Sequence, residues 1–435
     1  MRNQLQVKVW KASTLPANWF KRTRTTDEAV AEDVKTIVNK VAKNGDAALI
    51  EFTEKFDKTK LKAESLQVTR EEIKEAYRMV SEEQISALKL MKSKVGSFEK
   101  LILEQFKIKT SKDGIAIQNV LRPIESVGCY VPGGQAAYPS TVVMTTVPAK
   151  TAGVPRIVVC SPPTAKATIN PLILVAADIC EVNEIYKVGG AQAIAALAYG
   201  TETIKPVKKI VGPGNKYVTA AKILVSKDVA VDMPAGPSEV LVLADETANP
   251  QFVALDMVSQ AEHGADSVAG LITTSRKLAD AVAVWLRKLA ASAERGAIVR
   301  KALEEQGFII TCDRVEEMVY LANVFAPEHV EIMTCDPMEI AERITSAGVI
   351  LLGAYSPVSL SDYGSGTNHV LPTGGFGHAF SGLSVLDFAR RVNVVESSRA
   401  GLRQLKNHVK VLTEAENLPN HYKAIEARFK DESST

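Results

Sequence analysis

Arg156-Ile-Val-Val-Cys160, Pro171-Leu-Ile-Leu-Val-Ala-Ala-Asp-Ile-Cys180, Glu184-Ile-Tyr-Lys-Val188, Ala191-Gln-Ala-Ile-Ala-Ala-Leu-Ala-Tyr-Gly200 and Lys208-Lys-Ile-Val-Gly-Pro-Gly214 follow one another in the middle of the chain. Short β-branched runs alternate with Ala-rich stretches of helical length. That alternation predicts βαβ units and a parallel sheet. It resumes as EVLVLAD (239–245), a helix through 251–262 and a strand near 267–273, with further strands near 307–312, 330–334 and 348–353. The loops VPGG (131–134), VGPGN (211–215) and PAGPSE (234–239) fall at strand ends. In open α/β sheets ligands sit at the carboxyl ends of strands, and glycine there lets a backbone approach a ligand. Each loop alone is equally a tight turn; three in one region point to a cleft.

Outward from this centre, residues 1–25 read as an extended arm with aromatic anchors at Trp10, Trp19 and Phe20. Helices then dominate to about residue 106. Thr69 with Glu72, and Ser81 with Gln84, have the spacing of capping boxes. Gly45 falls where a helix C-cap belongs. The segment 353–380 is rich in Gly, Ser and Pro and too long for an idle loop. Residues 381–435 read as helices with a polar end, DESST.

The chain has 435 residues, 46% hydrophobic and 23% charged, the composition of a soluble globular protein of two or three domains. Lysine and arginine number 52 against 50 acidic residues, a balance of +2 that gives no argument for nucleic acid or a membrane surface. The N-terminus lacks the apolar run of a signal peptide, and no stretch reaches the length of a bilayer span. Cys129, Cys160, Cys180, Cys312 and Cys335 form no CxxC, so the reading is a reduced, cytoplasmic protein with buried cysteines rather than a disulfide or thiolate scaffold. No GxGxxG occurs; Gly212-Pro-Gly214-Asn215 lacks the third glycine, so the α/β texture alone does not establish a nucleotide cofactor.

Six histidines occur, at 263, 329, 369, 378, 408 and 421. Gln260 and His263 are three apart at the end of an apparent helix and share a face. Glu328 and His329 are adjacent after Ala-Pro. His369 follows Asp362 in SDYGSGTNHV, and Glu416 lies close before His421. Imidazole, carboxylate and amide oxygen are all donors that zinc accepts. Taken singly, each histidine is more often a structural or surface residue. Spacing over 160 residues does not show that they meet.

The run from Val231-Asp232 through Ser238-Glu239 to Gln260-Ala-Glu262-His263 closely resembles the signature of the histidinol dehydrogenase family. So do YVPGG (130–134), VGGAQAIAALAYGT (188–201), GPGNKYV (212–218), PEH (327–329), SDYGSGTNHVLPT (361–373) and ENLPNH (416–421), in the family's order. The departures are Val231, where the family more often has Ile, and a divergent first hundred residues. The resemblance implies oxidation of L-histidinol through L-histidinal to L-histidine with two NAD and one zinc per subunit. It implies zinc ligands Gln260, His263, Asp362 and His421, and an acid–base pair Glu328 and His329. Substrate contacts would be Ser238, Gln260, His263, His329, Asp362, His369, Glu416 and His421. NAD contacts would be Tyr130, Gln192 and Asn215. The implied fold is α/β: two incomplete Rossmann-like domains with parallel sheets, plus terminal extensions. The arm covers 1–25. Residues 26–129 with 240–380 would form the first domain, carrying zinc and catalytic residues, and 130–239 the second, carrying NAD contacts. A helical extension over 381–435 would be exchanged in an intertwined homodimer with shared active sites.

The chemistry is consistent with this. A histidine suits removal of a hydroxyl proton, and a neighbouring carboxylate suits activation of water for the second oxidation. The rivals are a zinc hydrolase using the same residues and a non-catalytic binding protein; the three strand-end loops argue against both.

Overall fold

The computed structural model describes residues 5–16, 19, 28–133 and 137–432, with the side chains of 430–432 left aside. Phe20 and Gly134, both singled out above, lie outside the described residues, as does the end of DESST.

The strands are β1 (Lys8–Lys11), β2 (Lys109–Lys112), β3 (Ile115–Pro123), β4 (Ser126–Tyr130), β5 (Arg156–Ser161), β6 (Glu184–Lys187), β7 (Lys209–Val211), β8 (Ala230–Val231), β9 (Glu239–Ala244), β10 (Val268–Thr273), β11 (Phe308–Thr311), β12 (His329–Met333), β13 (Val349–Leu352) and β14 (Ala389–Ser397). Among the described residues they form a parallel sheet ordered β6-β5-β4-β7-β8, a parallel sheet ordered β1-β11-β10-β9-β12-β13, and an antiparallel sheet ordered β14-β3-β2. Every residue of β4, β9 and β12 is buried. Strands of a parallel sheet covered on both faces need continuous rather than alternating burial, which is how EVLVLA and SVGCY read.

Local signals in the sequence are built as expected. Thr69 Oγ1 accepts the Glu72 N–H at 3.2 Å while Glu72 Oε2 accepts the Thr69 N–H at 2.9 Å. Ser81 and Gln84 exchange the same pair at 3.2 and 3.0 Å. Each N-cap is worth about 1 kcal/mol. Gly45, at φ 51°, breaks helical geometry inside Glu28–Asp57.

The expected domain grouping differs from the packing. The helix Glu28–Asp57 places Val34, Val41 and Leu49 in one core with Tyr130, Val158 and Ile194. The helices Arg70–Met79 and Glu82–Gln105 place Ile73, Leu88 and Val95 in a core with Val127, Val143 and Leu174. Residues 28–105 therefore cover the two faces of the β4–β8 sheet, not the β9–β13 sheet with which 26–129 was grouped. Amphipathic helices carry no label of the sheet they will cover, so sequence order misassigned them. The arm is more than an arm: β1 pairs in parallel with β11, Trp10 stacks on Phe308 at a ring separation of 6.4 Å, and Trp19 meets the same ring edge-to-face at 5.9 Å.

The C-terminal stretch is not all helix. Residues 389–397 form β14, antiparallel to β3 from Ala389↔Pro123 to Ser397↔Ile115. Its Val392, Val394 and Val395 are β-formers, but the partner strand lies far away in sequence. The helices Arg399–Ala415 and Pro419–Glu426 follow. Four cysteines are buried as expected; Cys335 is exposed. Among the described residues no helix is long and apolar enough to cross a membrane.

Candidate active site

Glu328 and His329 stand at the amino end of β12, beside the amino end of β9. Both hook onto the first residue of β9. Glu328 Oε2 accepts the Glu239 N–H at 2.8 Å, and His329 Nδ1–H donates to the Glu239 carbonyl at 3.0 Å. That bond orients the ring so that Nε2 faces Asp362 Oδ1 at 3.7 Å, while Nδ1 lies 3.6 Å from Glu328 Oε2. Glu239 in turn accepts the Gly374 N–H through Oε1 at 3.0 Å, pinning the glycine-rich segment over the cluster. Sequence reasoning passed over Glu239. Its signal was a carboxylate opening an otherwise apolar buried strand.

Placement at strand amino ends corrects an expectation. Of the loops expected at strand carboxyl ends, 131–133 and 212–215 are there, following β4 and β7, as is the segment 188–190 after β6. The segment 232–238 leaves the carboxyl end of β8 and enters the amino end of β9. Thr219 Oγ1 donates to the Ala235 carbonyl at 2.6 Å, and Asn368 Nδ2 donates to the Met144 carbonyl at 2.8 Å. The carboxyl edge of one sheet thus meets the amino edge of the other around this segment.

Burial pushes Glu328 up to about 8 against the pull of the His329 charge. Burial alone would lower His329, but Glu328 and Asp362 outweigh it and hold the imidazole up at about 9. Burial works to raise Asp362; the imidazoles of His329, His369 and His263 keep it below the usual carboxylate range. His263 and His369 are lowered by burial, with Asp362 opposing. Glu328 and His329 therefore support each other's charge, so the pair gains and loses protons as a unit beside an ionised Asp362.

Gln260 is buried near the end of the helix Pro250–Ala261, and His263 lies just past that end, its N–H donating to the Gln260 carbonyl at 3.3 Å. His263 feels the charge of Asp362, as does His369, whose Nδ1–H donates to the Asp362 carbonyl at 3.3 Å. Ser238 is half-buried, directly before Glu239. The structure thus gathers Gln260, His263, Glu328, His329, Asp362 and His369 about one place. Glu416 and His421 are not among them. Both are exposed, Glu416 capping the end of the helix Arg399–Ala415 and His421 in the helix Pro419–Glu426.

His329 Nε2 and Asp362 Oδ1 are buried and make no hydrogen bond among the described residues. Two facing polar atoms left in this way call for a third group between them. Amide oxygen, imidazole and carboxylate suit zinc. Among the described residues no three His, Cys, Asp or Glu side chains gather closely enough to hold a metal by themselves. Of the expected ligands in this chain, His263 and Asp362 are of those kinds and Gln260 is an amide.

The expected cofactor residues lie at the carboxyl ends of β4, β6 and β7. The Tyr130 hydroxyl accepts the Gly190 N–H at 3.1 Å, and Gln192 is buried in the first turn of the helix Gly190–Tyr199. Asn215 caps the helix Lys216–Val225, its Oδ1 accepting the N–H groups of Tyr217 and Val218 at 3.0 and 3.2 Å. Gly212 has φ 116°, and a Cβ there would meet the Tyr130 carbonyl oxygen at 2.1 Å. Its N–H donates to Asp232 Oδ2 at 2.7 Å and its carbonyl accepts from Lys222 Nζ at 3.0 Å, with Lys222 and Asp232 themselves paired. This buried staple escaped the sequence reading, although a lysine within KYVTAAKILV was its trace. A cavity of about 490 Å³ opens beside these loops, lined by Phe56, Asp57, Gly133, Pro162 and Asn170 among others.

A family model described as histidinol dehydrogenase matches residues 20–429. Histidinol dehydrogenase of Methanothermobacter thermautotrophicus is 45% identical over 410 residues, covering 94% of this chain and 96% of that protein. That of Clostridium acetobutylicum is 46% identical over 401 residues, 92% of this chain and 93% of that protein. The crystal structure of histidinol dehydrogenase from Elizabethkingia anophelis superposes with a TM-score of 0.94 at 38% identity, covering 100% of each chain. Likeness along the whole chain, in sequence and in fold, rules out a shared fragment: the chain belongs to the histidinol dehydrogenase family.

Proposed function

We propose that this enzyme oxidises L-histidinol through L-histidinal to L-histidine, with zinc and two NAD per turnover. The observation that carries the reading is the pair of facing, unbonded atoms, His329 Nε2 and Asp362 Oδ1, with Glu328 beside the same ring. Bound NAD would accept one hydride in each oxidation, and bound zinc would hold the substrate's imidazole and amine as a template.

The chain's own residues supply positioning and proton transfer. Gln260, His263 and Asp362 would hold the metal, with His421 of the partner subunit. Ser238, His369 and the partner subunit's Glu416 would contact substrate, together with the ligands and His329. His329, held at Nδ1 by the Glu239 carbonyl, presents Nε2 to the substrate hydroxyl and takes its proton as hydride leaves the carbon. The resulting aldehyde adds water. Glu328, buried and raised towards neutral pH, takes a proton from that water while His329 returns its own to the aldehyde oxygen, and the freed imidazole then serves as base for the hydrate. Two hydrides, carrying four electrons between them, leave in all. Tyr130, Gln192 and Asn215 would contact NAD, and the cavity beside Gly133 and Pro162 offers space next to them.

A homodimer with shared sites is part of the proposal. In β14, Val394 and Val395 are 47% and 62% exposed, and on the following helix Val411 is 65% exposed. A paired strand and an amphipathic helix with apolar faces in water suit burial on a second copy. The decisive experiment measures NADH formed from L-histidinol with the product identified. Two NADH per histidinol with histidine as product supports the reading. Turnover without NADH, or binding without turnover, rejects it in favour of a hydrolase or a binder.

A further inference from the structure

Glu331 and Asp256 belong to none of the roles above, yet they touch each element that carries the cluster. Glu331 is two residues after His329 on β12, so the two side chains leave the same face of the strand. It is 1% exposed. Its Oε1 accepts the Val358 N–H at 2.7 Å, at the start of the helix Val358–Tyr363 that contains Asp362. Its Oε2 is buried and receives no hydrogen bond from a donor among the described residues. What faces Glu331 from the helix Pro250–Ala261 is the half-buried carboxyl of Asp256, one turn before Gln260. Two such carboxyl groups in contact repel when both are ionised and bond when they share one proton. Burial raises both, so the pair retains one shared proton and bonds rather than repels.

We propose that Glu331 and Asp256 are positioning residues, a carboxyl–carboxylate clamp that fixes the helix bearing Gln260 and His263 relative to the helix bearing Asp362. One Glu331 oxygen holds the Asp362 helix through Val358; the other holds the Gln260 helix through Asp256. The clamp leaves a spacing between amide, imidazole and carboxylate donors that suits a small divalent cation. Partners that orient ligands without touching the metal commonly govern affinity by tenfold or more. The inference rests on the ligand assignment proposed above.

The test uses the full dimeric protein and zinc itself. Asp256→Ala should weaken zinc binding roughly tenfold or more in chelator competition. Asp256→Asn, whose amide oxygen still accepts the Glu331 proton, should restore it to within about threefold, and Glu331→Gln, which donates an N–H in its place, should do likewise. A purely space-filling role predicts no such rescue. Hydrogen exchange in metal-free protein separates the two ideas: Asp256→Ala should speed exchange at the Val358 amide and along Val358–Tyr363, and Asp256→Asn should not. Unchanged exchange overturns the clamp whatever zinc does. Faster exchange with unchanged zinc affinity keeps the clamp and overturns its role at the metal. Wild-type protein that binds no zinc overturns the ligand assignment instead.

Discussion

The two parallel sheets share a strand order and differ in which edge carries buried charge. In β6-β5-β4-β7-β8 the chain starts at β4, runs out through β5 and β6, then returns to the other side at β7 and β8. The same path runs from β9 through β10 and β11, then back to β12 and β13, with β1 added at the edge. Each has its switch point between first and fourth strands. At the first sheet the carboxyl ends there carry uncharged, glycine-rich loops. At the second the amino ends carry Glu239, Glu328 and His329, all buried. A topology therefore offers a crevice without deciding which edge bears the chemistry. Here the 232–238 connection brings one sheet's carboxyl edge to the other's amino edge, so the two crevices meet at one place.

The strongest way to break this contrast is at the charged edge. His329→Asn should lower turnover of both oxidation steps roughly a hundredfold to ten-thousandfold with zinc content kept, in stopped-flow and metal analysis. Glu328→Gln should slow histidinal oxidation more than histidinol oxidation; equal damage to both would remove the division of labour between them. His263→Asn should lower zinc and activity together.

The next test asks whether the charged edge is complete within one chain. Mixed dimers of His263→Ala and His421→Ala, each inactive alone, should recover roughly a quarter of wild-type activity, since half the dimers are mixed and each has one intact site. No recovery in proven mixed dimers would assign His421 to its own chain's site.

At the glycine-rich edge, Gly212→Ala should raise KM for NAD about tenfold with kcat less affected, because a misplaced loop costs binding geometry. The positive φ and the contact with the Tyr130 carbonyl also predict a loss of about 2 kcal/mol in denaturant unfolding. A wild-type KM in that variant would separate the loop from the cofactor.

The smallest effect is a pH limb. The acting base must be unprotonated, so kcat/KM should rise as pH rises through the His329 value, which stands raised at about 9 in the metal-free chain. Removing the neighbouring carboxylate by Glu328→Gln lowers that value, so the acid limb should move to lower pH. A limb that stays in place would mean that Glu328 does not set the charge on His329.

By itself the sequence determined whatever rests on neighbours along the chain. The caps at Thr69 and Ser81, the break at Gly45, the buried strand EVLVLA and the helix ending near Gln260 follow from propensity, spacing and hydrophobic continuity, which act within a few residues. The chemical identity of Glu328 and His329 was legible too, since adjacency is a sequence property. Tertiary structure alone decided the rest. It set the pairing of β14 with β3, the covering of the β4–β8 sheet by residues 28–105, the hook of the cluster onto Glu239 and the choice of a strand amino end. Those outcomes depend on which surfaces exclude water from one another across long separations, and on which buried polar atom finds a partner. Both are settled only when the core closes.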